Sequence, residues 1–157
     1  MKLTAHEEYG FRCLVLLGKR GAGGSMTIPE ISAGEGISQP YVAKLMRILR
    51  RGGFVTSSRG KIGGYTLARP ADQIIVGDAL AALGGRLFEG EFCASHSGHA
   101  NVCRHSTDCS IRSLWRSVQV ALDQVLGKTT LQDLLHSEEE RTTPDVQLQP
   151  FGLTGIQ

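Results

Sequence analysis

The sequence has no apolar run approaching the roughly 20 residues that a membrane-spanning helix requires. Its opening, Met1-Lys2-Leu3-Thr4-Ala5-His6-Glu7-Glu8, lacks the apolar stretch of a signal peptide. Both absences predict a cytoplasmic chain with no membrane partner, where persistent structural disulfides are disfavoured. No internal repeat is present. Cysteine is scarce, with four in 157 residues, yet Cys93, Cys103 and Cys109 fall within seventeen positions of one another. Packed structural cysteines scatter through a core, whereas metal ligands gather in a loop that wraps an ion or cluster.

What is present suits one domain or two small intertwined ones: the length supports a genuine core, and 41% hydrophobic content is ordinary for a globular chain. The formal net charge of +2 conceals an asymmetry. Residues 1–70 carry 11 Lys/Arg against 4 Asp/Glu, and residues 71–157 carry 6 against 11. A basic half joined to an acidic half predicts that one end meets a polyanion.

The basic half reads as three helices and a hairpin. Leu3 to Lys19 is predicted helical and ends at Gly21-Ala22-Gly23-Gly24-Ser25. Thr27-Ile28-Pro29-Glu30-Ile31 offers an N-cap, an early proline and a glutamate at capping-box spacing, with a stop near Gly34–Gly36. Ser38 caps a further helix to about Arg51, with Tyr41, Val42, Leu45, Ile48 and Leu49 inward and Gln39, Pro40, Ala43, Lys44, Arg47, Arg50 and Arg51 outward. Two helices joined by a glycine turn, the second with a basic stripe, outline a helix-turn-helix. Phe54–Ser58 and Tyr65–Ala68 then flank the turn Arg59-Gly60-Lys61-Ile62-Gly63-Gly64, which makes a wing with a basic tip. The residues placed at DNA are Ser38, Gln39, Pro40, Tyr41 and Lys44 in the major groove and Arg59, Gly60 and Lys61 at the wing. Tyr41 also falls on the inward face, so it is expected to pack with its hydroxyl at the DNA.

The rest contains a linker from Pro70, a short helix from Val76 to Leu83, and a cysteine loop over about Phe92 to Asp108. A long helix from Cys109 to about Leu126 follows, with Ile111, Leu114, Trp115, Val118, Ala121, Leu122 and Val125 on one face and Asp108 as its cap. Thr130–Leu135 adds a short helix, and a polar tail is expected to be disordered from Ser137. The fold class is therefore mostly α with a small β-hairpin wing. The expected divisions are a DNA-binding domain at 1–70, a cluster-binding and dimerisation region at 71–136 and a tail at 137–157.

The thiol pattern is C-x₉-C-x₅-C. Thiolates suit zinc or an iron–sulfur cluster, and the N-terminal field of a helix starting at Cys109 favours an anionic sulfur there. Cys13, inside the first helix, is read as a packed thiol. A closed site needs a fourth donor: His96, His99, His105 or a carboxylate from elsewhere. A zinc site of three cysteines and one histidine satisfies the same spacing. An enzyme using Cys109 as nucleophile is disfavoured, because no histidine with an orienting partner accompanies it.

The opening Met1-Lys2-Leu3-Thr4, the stretch Gly36-Ile37-Ser38-Gln39-Pro40-Tyr41-Val42 and the wing Arg59-Gly60-Lys61-Ile62-Gly63-Gly64-Tyr65 resemble the IscR/NsrR/RirA family of bacterial winged-helix regulators. So do Leu114-Trp115-Arg116 and Thr130-Leu131-Gln132-Asp133-Leu134, and the likeness covers about residues 1–136. The resemblance implies a winged helix-turn-helix homodimer joined through crossed long helices, acting on a pseudo-palindromic double-stranded operator as a repressor. It also implies an iron–sulfur cluster, [2Fe-2S] or [4Fe-4S], on Cys93, Cys103 and Cys109 that senses nitric oxide, redox state or iron supply. In the IscR type the fourth ligand is a histidine three residues after the last cysteine, where this chain has Arg112. In the NsrR type it is an aspartate in the first helix of the other subunit, and Glu8 matches that place. Glu8 is the preferred fourth ligand and His105 the second. The first gap between cysteines is longer than the family's usual one.

Overall fold

The first two helices each begin at a threonine locked to a glutamate three residues on. A computed structural model describes residues 4–58, 63–88 and 109–140. In α1 (Ala5–Gly18), Thr4 Oγ1 accepts the Glu7 N–H at 3.4 Å while Glu7 Oε2 accepts the Thr4 N–H at 2.6 Å. Thr27 and Glu30 repeat the arrangement at the start of α2 (Ile28–Glu35), and Gly36, at φ 67°, closes that helix in the left-handed region that favours glycine. Hydrogen bonds from Thr27 hold the Glu30 carboxyl below its ordinary pKa. A depressed carboxyl supports the fold above its unfolded pKa, so this cap is lost as pH falls through the lowered value. Thr27→Ala is expected to lower unfolding stability by about 1 kcal/mol, read as an earlier urea midpoint. An unshifted midpoint would show that the cap contributes nothing.

The third helix, α3 (Gln39–Arg51), follows Ser38, which occupies the N-cap position without making the side-chain hydrogen bond that the sequence led us to expect. Val42, Leu45, Met46 and Leu49 are buried, with Tyr41 and Ile48 half-buried. Met46 is therefore a core residue that the apolar spacing passed over. Gln39, Pro40, Lys44, Arg47, Arg50 and Arg51 are exposed as predicted, while Ala43 is half-buried. β1 (Val55–Ser58) pairs antiparallel with β2 (Gly64–Leu67), in register from Val55–Leu67 to Ser58–Gly64. Met26 and Tyr65 exchange backbone hydrogen bonds of 3.0 and 2.8 Å, so the segment before α2 braces the wing. A side chain at Gly64 would run into the Met26 backbone, which is why glycine stands there.

The segment after Pro70, expected as a linker, contains a 3₁₀ turn at Ala71–Gln73 and then joins the core through Ile74. α4 (Val76–Gly84) lies so close to α1 that a Cβ on Gly10 would overlap Leu83. α5 (Ser110–Leu126) starts one residue after Cys109. α6 (Leu131–Glu140) returns to α1, where Leu135 covers Gly18. Leu131 N–H bonds Ile74 O at 2.8 Å and Val76 N–H bonds Thr129 O at 2.9 Å. Leu131 is buried beside Leu14, Leu17 and Ile74, so the chain's second half completes the core of its first. Helix α6 continues to Glu140, past Ser137 where the tail was expected. Residues 141–157 lie outside the described set.

The apolar residues of helix α5 lie on one broad face, as their spacing predicts, of which only one edge is covered. Leu122 and Leu126 turn toward Gly77, Leu80 and Ala81 of α4 across a cleft of about 580 Å³, and Arg86 pairs with Asp123 at its rim. Ile111, Leu114, Trp115 and Val125 point outward, 64%, 56%, 41% and 66% exposed. Among the described residues no helix is long and apolar enough to cross a membrane.

Candidate nucleic-acid interface and thiol site

Helix α3 presents its polar residues where its packing leaves them free. Burial of Val42, Leu45, Met46 and Leu49 fixes the helix's rotation, and Gln39, Pro40 and Lys44 consequently stand at the surface on its first turns. Ser38 is exposed beside them. Arg50 Nη1 donates to Ser57 Oγ at 3.2 Å, tying the end of α3 to the wing's first strand. Arg69 stacks over the Phe54 ring, 5.4 Å from its centroid. The strands hold the two ends of the wing tip, whose residues Arg59, Gly60 and Lys61 lie outside the described set. This surface has the donors and charge to bind phosphates and to read base edges.

Tyr41 departs from expectation. Its hydroxyl lies 3.4 Å from His6 Nδ1 in α1 rather than turned outward, and its ring meets the His6 and Tyr9 rings edge-on at 5.4 and 5.9 Å. Below this cluster, Arg12 Nε donates to Glu35 Oε2 at 2.7 Å and Nη2 to Glu35 O at 3.1 Å, while the guanidinium lies 5.3 Å from the Tyr9 centroid. The hydrogen bond to Glu35 raises the Arg12 pKa from its ordinary value. Helix α1 is thus joined to both helices of the helix-turn-helix by polar and aromatic contacts that join residues 23 and 35 positions apart in sequence. No local sequence signal announces them.

Of the thiols, Cys93 and Cys103 lie outside the described residues, as do His96, His99 and His105. Cys109 itself is the N-cap of α5: it is half-buried and its sulfur accepts the Arg112 N–H at 3.3 Å. The cap assigned to Asp108, a residue outside the described set, is therefore made by Cys109. Cys13 is fully buried in the core, and desolvation pushes its thiol pKa up to about 12. It is a packed, protonated side chain, as the sequence predicted. Glu8 is exposed on the first turn of α1, and among the described residues its carboxylate makes no hydrogen bond or ion pair. Glu7 beside it is committed to the Thr4 cap. Among the described residues no three His, Cys, Asp or Glu side chains converge on one point.

The whole arrangement has close counterparts. Residues 3–137 match the family described as Rrf2, iron-dependent transcriptional regulator. The Rrf2 protein of Nitratidesulfovibrio vulgaris is 36% identical over 135 residues, 86% of this chain and 87% of that relative. The IscR transcriptional regulator of Cronobacter sakazakii is 30% identical over 147 residues, covering 94% and 88%. Among solved structures, T. potens IscR matches with a TM-score of 0.70 at 30% identity, over 91% of this chain and 92% of that one. CymR, described as the global cysteine regulator of B. subtilis, matches at 0.64 and 29%, over 87% and 97%. These relatives are transcription regulators and not enzymes, and the helices and hairpin agree with their winged-helix fold. The chain belongs to the Rrf2 family of helix-turn-helix transcription regulators.

Proposed function

We propose that this regulator is a homodimeric repressor whose DNA affinity is set by an iron–sulfur cluster on Cys93, Cys103, Cys109 and Glu8 of the partner subunit. Ser38, Gln39, Pro40 and Lys44 serve the major groove, with Tyr41 packed behind them against His6 rather than reaching the DNA, and Arg59, Gly60 and Lys61 serve the adjacent backbone or minor groove. The signal is nitric oxide, redox state or iron supply. The observation that carries the cluster reading is the division of labour among the thiols. Cys13 is sealed in the core with a raised pKa, whereas Cys109 sits half-buried at a helix N-terminus with a backbone N–H directed at its sulfur. A metal binds such a sulfur as the thiolate, and binding itself displaces the thiol proton.

The donor set fits a cluster. Cys109 offers a soft sulfur donor, and Glu8 offers a carboxylate with no hydrogen bond or ion pair among the described residues, whereas Glu7 is occupied by its cap. Bound there, the cluster supplies iron that reacts with oxidants or nitric oxide. Oxygen ligation is weaker and more exchangeable than thiolate ligation, so Glu8 is the donor most readily released. The IscR relatives support an iron–sulfur reading. The relative described as a cysteine regulator argues that the signal is set by each chain's own donors and not by the fold.

Anaerobic preparation of the full chain tests this. Visible charge-transfer absorption with iron and acid-labile sulfide is expected, and a colourless zinc-loaded protein would instead assign a structural metal. Glu8→Ala is expected to alter the cluster spectrum or its lifetime in air while leaving the dimer folded, whereas Glu7→Ala, which removes only the Thr4 cap, keeps the native spectrum. An unchanged spectrum in Glu8→Ala removes it as a ligand in favour of His105.

A further inference from the structure

We infer that His6 is a positioning residue that carries the state of the thiol site to the first turn of α3, acting through Tyr41. The inference deepens the reading above and rests on Glu8 being a ligand. His6 and Glu8 belong to the same first turn of α1, which is closed by the Glu8 N–H to Thr4 O bond of 3.1 Å and by the Thr4–Glu7 capping box. A turn bonded in this way moves as one body. Whatever pulls or releases the Glu8 carboxylate therefore displaces the His6 ring with it.

The receiving end is built to respond. Tyr41 follows Gln39 and Pro40 directly, and its backbone N–H bonds Ser38 O at 3.0 Å, so its ring and the groove-facing residues share one helical turn. Ser38 makes no side-chain cap, unlike Thr4, Thr27 and Cys109 at the starts of α1, α2 and α5. With no local cap, the attitude of this turn depends more heavily on what holds Tyr41. His6 and Tyr9 clamp the ring edge-on, at interplanar angles of 80° and 85°. The 3.4 Å separation from Tyr41 Oη to His6 Nδ1 is at the outer limit of a hydrogen bond, so a shift of a few tenths of an ångström tightens or breaks it. Arg12, held at two points by Glu35, anchors α1 more than one helical turn further along.

A static packing pair would give the same coordinates, so the test must read coupling and not binding alone. Full-length native protein, His6→Ala, His6→Asn and His6→Phe are prepared anaerobically. Iron per chain and the visible band are recorded, and affinity is measured for a duplex that the native protein selects from a randomised pool, with the cluster present and after its removal. For the native protein the two affinities are expected to differ by about tenfold or more, within the usual span of allosteric coupling. In His6→Ala the iron content and band are unchanged and the ratio falls to within about threefold. Asparagine, which keeps a hydrogen-bonding atom near the place of Nδ1, is expected to restore more of the ratio than phenylalanine, which keeps only the ring.

An iron-loaded His6→Ala that retains the native ratio overturns the inference and leaves the cluster reading intact. Should His6→Ala fail to fold or load, the asparagine and phenylalanine variants decide, since native ratios in both overturn the inference equally. Native protein without iron overturns the cluster reading, and the inference falls with it.

Discussion

Leu114→Glu is expected to turn the proposed homodimer into a monomer in light-scattering measurements and to weaken binding to the selected duplex by about a hundredfold or more. The outward side of α5 has no partner within the described residues of its own subunit, and Ile111, Leu114, Val118, Ala121 and Val125 repeat at the three- and four-residue spacing that lets two helices interlock. Burying one leucine of this size contributes about 1.5–3 kcal/mol. Leu114 is 56% exposed and two-fold symmetry counts the substitution twice, so about 2–3 kcal/mol of association is lost, or roughly thirty- to a hundredfold in affinity. Desolvating the introduced carboxylate adds to the loss. A dimer presents two reading helices to two half-sites, and a monomer forfeits the second engagement. Val120→Glu is the control: Val120 is 54% exposed on the opposite side of the same helix and should leave mass and affinity unchanged. If Leu114→Glu stays dimeric with native affinity, this face is not the interface.

Much of this architecture was legible in local chemistry. Thr27-x-x-Glu30 with Pro29 marked the start of α2, Gly36 its end, and the glycines from Gly60 to Gly64 marked a hairpin turn. The same capping signature at Thr4-x-x-Glu7 also separates Glu7 from Glu8, although adjacent carboxylates look interchangeable until the cap is recognised. Met46 stands four residues after Val42 and belongs to the buried face, but counting from Tyr41 tilted that face away from it. What local pattern does not carry is pairing at a distance. The bridge between Ile75 and Thr130 that seats Leu131 in the core, and the meeting of His6 with Tyr41, are set only once α1, α3 and α6 have packed. Division of the α5 apolar residues between the α4 side and the open side is likewise a tertiary fact. Any amphipathic helix of that composition would have shown the same spacing.

Under the proposed function Cys109 has two roles in one atom, and a pair of substitutions should separate them. As a cap, its sulfur satisfies the Arg112 N–H, one of the unpaired donors at the start of α5. As the proposed ligand, the same sulfur would bind the metal. Serine is among the best capping residues and a poor substitute for a thiolate, whereas alanine provides neither function. Both Cys109→Ser and Cys109→Ala are therefore expected to lose iron and visible absorption to background. The metal-free forms then diverge: the serine variant unfolds at or above the urea midpoint of the metal-free native chain, and the alanine variant is less stable by about 1 kcal/mol. Iron retained at native level in Cys109→Ser would remove this sulfur from the ligand set. Equal stability of the two variants would mean that the observed cap is energetically idle. Because α5 carries both the cap and the outward stripe, the alanine variant should also dimerise less tightly than the serine variant. The cause is a loosened first turn at Ile111 and Leu114, where the exposed apolar face proposed as the dimer surface begins.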